Sequence, residues 1–180
     1  MVYTYKECKE KYKTDYEIRK QLESGLLIRV ERGIYTDEVN ESDLAIMSKQ
    51  YPNAVLTLNS AFYYHNLTDT IPQHYYLMTD KNCTKIQNTK VKQFFDNSDS
   101  LNIGLMTIQY DGATIRIFNK ERMLVELIRN KNSLPYDYYK EIIKNYRDIV
   151  DELDIQAIQE YVEKLPKSGF VRRTLQAEVF

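Results

Sequence analysis

The chain has 180 residues, a formal net charge of −1, a hydrophobic share of 43% and a charged share of 28%. These values are close to those of average globular proteins, so the collagen-like, disordered and coiled-coil classes are excluded. The length suits one ordinary domain or two small ones.

The sequence indicates neither a membrane span nor a secretion signal. It has no run of about 20 apolar residues, and residues 1–10 carry charges where a signal peptide needs an apolar core. The two cysteines, Cys8 and Cys83, lie far apart without the paired spacing of a zinc site or the density of a disulfide framework. We therefore expect a cytoplasmic protein that binds no metal and no cofactor.

The first 24 residues predict two helices. Residues 4–7 and 14–17 both have the capping-box pattern Thr-x-x-Glu, in which the Thr hydroxyl accepts from the N3 amide and the Glu reaches back to the cap. The second helix is expected to end at Ser24, because Gly25 suits the left-handed conformation beyond a helix end. The apolar spacing predicts that its buried stripe consists of Ile18, Leu22 and Leu26.

Residues 27–36 change to a β-branched pattern on both sides of Arg32-Gly33, which predicts a hairpin. A short helix, an exposed basic helix and a basic-tipped hairpin in this order are typical of a winged helix-turn-helix. We therefore predict a DNA-binding domain over residues 1–40. The usual core of this fold has three helices, and a helix at 41–50 is available to complete its packing.

Four cations are the main candidates for DNA contact. Arg19 and Lys20 on the second helix would face base edges or phosphates, and Arg29 and Arg32 on the hairpin would bind phosphates as planar, multi-donor cations. Residues 1–36 hold eight basic and six acidic residues, so charge alone is weak support for a polyanion partner. The alternative, that these are ordinary solvated surface charges, stays open.

Two further side chains complete the predicted DNA-binding set. Lys13 lies just before the second cap, where it would meet a phosphate at the helix entry. Tyr16 would pack on a sugar or donate to a phosphate. The complete set of predicted site residues is Lys13, Tyr16, Arg19, Lys20, Arg29 and Arg32.

The remainder of the chain, residues 41–180, alternates helical and extended patterns, which places the protein in the α+β class. Asp111-Gly112 is a strong hairpin signal. Ser60 and Asn119 are predicted helix caps. An approximate domain boundary is expected near residue 40. Helices are predicted at residues 42–51, 60–67, 119–130, 136–147 and 155–165. Strands are predicted at residues 54–58, 74–79, 91–95, 103–110 and 113–118.

No catalytic signature is found, so we expect that the protein is not an enzyme. His65 and His74 are nine positions apart on different elements, which is not the one-face geometry of a metal-binding pair. Five glycines supply neither a P-loop nor a dinucleotide fingerprint, and Ser60 lacks the turn that exposes a nucleophile. Asp80 and Lys81 lack the spaced Glu-x-Lys that a magnesium-dependent nuclease site would require.

Residues 25–35, Gly-Leu-Leu-Ile-Arg-Val-Glu-Arg-Gly-Ile-Tyr, resemble the wing entry of the AbiEi family. Members of that family are antitoxins of type IV toxin–antitoxin systems, which began as abortive phage-infection loci. The resemblance covers about residues 20–130 in the same order, through residues 43–44, 51–58, 60–69, 71–72, 110–118 and 120–127.

The resemblance implies a protein in two parts. In that family an N-terminal winged helix binds inverted repeats in the promoter of its own operon and represses it. A C-terminal domain, here residues 41–180, antagonises a partner toxin that resembles nucleotidyltransferases, without a stable complex of the two proteins. The alternative is a stand-alone winged-helix transcription regulator whose C-terminal domain senses a ligand or a partner.

Overall fold

Two units make up the protein in a computed structural model that describes residues 1–180. The first unit consists of residues 1–53 and 107–116, and the second of residues 54–106 and 117–180. The fold is mixed α+β, with nine helices and two sheets. None of the nine helices combines the length and the apolar character that a membrane crossing requires.

The first unit contains a three-stranded antiparallel sheet in the order β1-β3-β2, with three helices. Its small apolar core is formed by Cys8, Ile18, Leu27 and Tyr35. The elements in chain order are β1 (Val2–Thr4), α1 (Tyr5–Tyr12), α2 (Asp15–Glu23), β2 (Ile28–Glu31), β3 (Ile34–Thr36) and α3 (Asp43–Gln50).

Both predicted helix starts are confirmed, but they are capped differently. Thr4 and Glu7 form the complete reciprocal capping box at α1. At α2 the Thr14 hydroxyl accepts from the Glu17 amide at 3.2 Å. The Thr14 amide donates to the Tyr12 carbonyl at 2.8 Å instead of to a carboxylate. In the second capping box, the Tyr12 carbonyl of the short link therefore takes the place of the Glu17 carboxylate as the acceptor for the N-cap amide.

The predicted buried stripe of α2 is wrong at one position. Ile18 is buried and Leu22 is partly buried, but Leu26 is 65% exposed, and Leu27 next to it is only 1% exposed. Gly25 adopts a φ of +73°, which ends the helix, so the spacing of four residues does not continue past it.

The helix α3 belongs to the first unit, which therefore extends beyond the expected boundary at residue 40. Its apolar face packs against β1 and β3, with Leu44 and Met47 buried. Lys49 near its end pairs with Glu7 of α1 at 2.5 Å. The chain passes into the second unit after Asn53.

The larger sheet has the strand order β6-β5-β4-β8-β7. Its central strand β4 pairs antiparallel with β5 and parallel with β8, and β5 pairs parallel with β6. The strands are β4 (Val55–Leu56), β5 (Tyr75–Asp80), β6 (Val91–Asp96), β7 (Leu105–Tyr110) and β8 (Ala113–Phe118).

The β7–β8 connection is the predicted Asp-Gly hairpin turn. Asp111 and Gly112 have φ values of +48° and +75°. Positive φ at both central residues is the requirement of a type I′ turn, which matches the twist of the flanking strands. The outer part of this hairpin, residues 107–116, belongs to the first unit.

Helix α6 is the centre of the second unit. It packs against α4, α8 and α9, and every side chain from Arg122 to Ile128 is buried. Its predicted cap is confirmed, because the Asn119 side chain accepts from the Arg122 amide. The helices of this unit are α4 (Leu58–Tyr64), α5 (Ser98–Asn102), α6 (Lys120–Arg129), α7 (Tyr136–Asp148), α8 (Ile155–Lys164) and α9 (Ser168–Glu178).

Ser60 is not the cap that the sequence predicted. Helix α4 begins at Leu58, and Thr57 occupies the N-cap position. Ser60 is buried inside the helix, where its hydroxyl donates to the His74 carbonyl at 3.3 Å and accepts from the Tyr76 amide at 2.9 Å. This side chain therefore ties α4 to the start of β5, which no local pattern reveals.

Candidate nucleic-acid interface

The outer face of α2 carries three of the predicted DNA-binding side chains. Tyr16 is 72% exposed, and Arg19 and Lys20 are also exposed. Ile18 on the opposite side of the helix is buried in the small core of the first unit. Burial of this one side fixes the rotation of the helix, so the residues at i, i+3 and i+4 from Tyr16 share the solvated face.

Lys13 lies at the turn that joins α1 to α2. Its φ of +66° is a left-handed conformation, and its amide donates to the Lys9 carbonyl at 2.8 Å, which closes the end of α1. The side chain is exposed. The structure thus places Lys13 one residue before the Thr14 cap, at the entry to the candidate recognition helix.

The β2–β3 hairpin carries the other two predicted cations. Arg29 and Arg32 are both exposed, and Gly33 at the turn has a φ of +79°. The pairing register shifts between Arg29 and Glu31, which is an irregularity of the bulge type in β2. Across it, the Arg29 Nε donates to the Glu31 carbonyl at 3.3 Å, so the backbone of the hairpin orients this guanidinium.

The five predicted cations have no carboxylate within ion-pair distance, which is also true of Lys6 and Arg116 in the same unit. Lys9, Lys11 and Lys49 of the same unit pair with Asp15, Asp37 and Glu7 respectively. Lys13, Arg19, Lys20, Arg29 and Arg32 form no such pair. Their charge is therefore available to an external anion, and binding a phosphate would not require breaking an internal ion pair.

Acidic side chains limit where an anion can approach. The hydrogen bond from the Tyr5 hydroxyl and the pair with Lys9 hold the pKa of Asp15 below its ordinary value. Asp15 therefore stays ionised at the first turn of α2, and Glu23 is exposed near the other end. An approaching phosphate is favoured along the middle of α2, beside Arg19 and Lys20, rather than at its N-terminus.

The two histidines occupy different environments. His65 is partly buried and its Nε2 lies 2.6 Å from the Phe118 carbonyl oxygen, so this nitrogen carries the proton and donates. Desolvation lowers the pKa of His65. His74 is exposed. No group of three or more His, Cys, Asp or Glu side chains is arranged to hold a metal ion.

Sequence reasoning missed a cluster of buried and partly buried charges on α6. Arg122, Glu126 and Arg129 lie on one side of the helix and are joined by ion pairs. The pattern that would have indicated them is an Arg and a Glu four residues apart inside a run that is otherwise apolar on every side. Such a helix is buried all round, so its charged residues must pair with one another.

Comparison with known proteins gives a match in fold only. No protein-family model matches the chain, and no curated protein matches it either. Among solved structures, the chain is similar to the RV2827C protein from Mycobacterium tuberculosis, with a TM-score of 0.69 and 13% sequence identity. The alignment covers 99% of this chain and 72% of that protein. The two proteins therefore share a mixed α+β fold.

Proposed function

We propose that the protein is an antitoxin of a type IV toxin–antitoxin system that also represses its own operon by binding promoter DNA. The observation that carries the DNA-binding half is the set of unpaired cations on α2 and on the β2–β3 hairpin of one unit. The antitoxin half is supported by the resemblance of residues 20–130 to the AbiEi family.

The first unit acts as a winged helix-turn-helix in this proposal. Its order of helix, helix and hairpin suits α2 as the recognition helix and the β2–β3 hairpin as the wing. Helix α3, which follows the hairpin and packs on β1 and β3, supplies the third helix of the core. Arg19 and Lys20 read or position the major groove, and Lys13, Tyr16, Arg29 and Arg32 contact the backbone.

The second unit neutralises a toxin that resembles nucleotidyltransferases. No reaction is catalysed by the antitoxin itself, and promoter DNA with inverted repeats is its other partner. Because repression and neutralisation are separate activities in this proposal, substitutions on the exposed face of α2 should remove the first and leave the second.

A mobility-shift titration with the DNA upstream of the protein's own gene tests DNA binding. The full chain should shift this DNA at lower concentration than a scrambled duplex of equal length. The full chain with Arg19→Ala and Lys20→Ala should lose the difference, while Lys144→Ala, an exposed cation on α7, should retain it. Equal binding of both duplexes by the wild-type chain would refute specific repression.

Co-expression with the product of the neighbouring gene tests neutralisation. Both genes are placed under inducible promoters without the native operator, so that repression cannot contribute to rescue. The wild-type chain and the Arg19→Ala, Lys20→Ala variant should both restore growth. DNA binding without rescue would favour the stand-alone regulator instead.

A further inference from the structure

A groove between α8 and α9 of the second unit is not used by the proposed function. It encloses about 370 Å³. Its floor is apolar and buried, because Ile158, Val162 and Leu175 are 1%, 2% and 5% exposed. Its rim consists of six exposed side chains, Ile155, Gln159, Glu163, Arg172, Gln176 and Phe180.

The rim residues form three layers across the groove. Residues 165–167 alone join α8 to α9, and helices with so short a connection are antiparallel neighbours. The Arg172 Nη2 lies 3.6 Å from the Glu163 Oε1, which fixes the level at which the two helices face each other. Each step of four residues back along α8 is therefore matched by four residues onward along α9. The layers are Glu163 with Arg172, Gln159 with Gln176, and Ile155 with Phe180.

The apolar layer presents an aromatic side chain to solvent at one end of the groove. Phe180 is 56% exposed and Ile155 is 39% exposed. The Phe180 amide donates to the Leu175 carbonyl at 3.0 Å, so the backbone of α9 fixes the position of this residue. An exposed aromatic residue beside an apolar groove is typical of the centre of a protein–protein interface.

The polar groups of the rim favour a protein as the occupant of the groove. Small ligands are oriented by polar groups inside a pocket, whereas the four polar side chains of this groove lie exposed at its edge. The one cation, Arg172, is already beside the one carboxylate, Glu163. The rim therefore has no net charge with which to attract a nucleic acid or a strongly charged partner.

The rim is complementary to itself. Rotation of a second copy by 180° about an axis along the groove lays its α9 over α8 of the first copy, and each layer then faces the same layer. Arg172 of either copy meets Glu163 of the other, and the glutamine amides can both donate and accept. Phe180 of either copy packs on Ile155 of the other and covers its apolar floor. A two-fold interface requires a surface patch that is self-complementary in this way.

We propose that this groove is the interface of a homodimer, in which α8 and α9 of two copies form a four-helix bundle about a two-fold axis. The two helices have 10 and 11 residues, so the interface belongs to the small class. The dimer is therefore expected to dissociate on dilution. This interface is additional to the proposed function, because it lies on the second unit and uses none of the candidate DNA-binding residues.

Sedimentation equilibrium of the full chain tests the dimer. A concentration series up to about 1 mM, the weak end of the affinity scale, should show one chain and two chains in equilibrium. Phe180→Ala should raise the dissociation constant at least tenfold, because it truncates the aromatic residue of the interface. Tyr136→Ala on α7, which also removes an exposed aromatic ring outside the groove, is the matched control and should dimerise as the wild type does.

Exchange of the rim charges tests the pairing between copies. Arg172→Glu gives a rim with two acids and Glu163→Arg a rim with two bases, so each variant alone should dimerise at least tenfold more weakly. An equimolar mixture of the two should recover the wild-type affinity, because every acid again faces a base. A purely structural role within one chain would not produce this recovery. The control is a mixture of Lys164→Glu and Glu160→Lys, which alter an exposed pair of α8 outside the groove and should leave dimerisation unchanged.

A wild-type chain that stays monomeric throughout the series would overturn the proposal. So would a dimer that Phe180→Ala leaves intact, because its interface would then lie elsewhere. Failure of the mixed charge variants to associate would refute the two-fold pairing. Operator binding and toxin neutralisation are measured separately, so these results leave the proposed function to its own tests.

Discussion

Arg122 and Glu126 lie one turn apart on α6, and the Arg122 Nε donates to the Glu126 carboxylate at 3.0 Å with both side chains buried. The Arg122 Nη1 also donates to the Ser100 carbonyl at 3.0 Å, and the guanidinium lies 4.7 Å from the centre of the Phe118 ring. Burial lowers the pKa of Arg122, and the charge of Glu126 opposes that shift. Arg122, with its charge balanced by Glu126, thus holds α6 to the segment that precedes β7.

Removal of the Glu126 charge should destabilise the protein strongly. Glu126→Gln leaves the buried Arg122 and the partly buried Arg129 without their shared carboxylate, so we expect a loss of about 3–5 kcal/mol in the free energy of unfolding. Glu160→Gln is the matched control, because Glu160 and Lys164 form an exposed pair with the same spacing. That change should cost less than about 1 kcal/mol in urea denaturation. Equal losses for the two variants would contradict the structural role of the buried pair.

Gly104 should tolerate no side chain. A Cβ at this position would lie 2.5 Å from the Arg122 Cβ and 2.7 Å from the Asn119 Oδ1, and the residue has a φ of +68°. Gly112 has a similar φ but nothing within 4 Å of an added Cβ. We expect Gly112→Ala to cost about 1 kcal/mol from backbone conformation alone. Gly104→Ala should cost about 1–3 kcal/mol more, because of the clash.

Thermal or urea unfolding of the two glycine variants measures that difference directly. If Gly104→Ala and Gly112→Ala are equally stable, the close approach of Gly104 to α6 is wrong.

Stability should decrease in mild acid because of His65. Its pKa is lowered in the folded state, so between that pKa and about 6.5 the unfolded chain binds more protons. The stabilising contribution is present above pH 6.5 and is lost as the pH falls below it. The slope from this one group cannot exceed about 1.4 kcal/mol per pH unit.

His65→Gln should remove this part of the pH dependence, because the amide can still donate to the Phe118 carbonyl but does not titrate. His74→Gln serves as the control and should leave the dependence in place, since His65 remains. Urea denaturation between pH 5 and pH 7.5 gives the comparison. An unchanged profile in His65→Gln would show that another group is responsible.

The hairpin cations should contribute to the salt dependence of operator binding more than to sequence preference. Each phosphate contact contributes about 0.9 to the slope of log K against log salt concentration. Arg29→Ala together with Arg32→Ala should therefore flatten that slope by about two. Loss of Arg19 or Lys20 should instead cost about 1–3 kcal/mol for each contact made with a base edge. Mobility shifts over a series of salt concentrations distinguish the two classes.

Elements with local signals were predictable from the sequence. The Thr4 box, the Asn119 cap and the Asp111-Gly112 turn each depend on residues that are close together in the chain, and all three are confirmed. The helix stop at Gly25 is of the same kind. Such features require no knowledge of what packs against them.

Elements that depend on distant partners were not predictable. Strand β1 has three residues, and it exists because Tyr3 pairs with Tyr35 across the whole first unit. Helix α9 starts after Lys167 with no side-chain cap, beyond the last predicted element. The six candidate side chains were correctly expected to be exposed, but the absence of ion pairs at the cations depends on the folded geometry.

The outer part of the β7–β8 hairpin has a consequence for dissecting the gene. Because residues 107–116 belong with residues 1–53, no single breakpoint divides the chain into two self-contained pieces. A recombination event that exchanged only the first 53 codons would replace residues 1–53 of the first unit but keep the original residues 107–116. Inheritance of the two units together, altered by point mutation rather than by shuffling, is the evolutionary route that this connectivity favours.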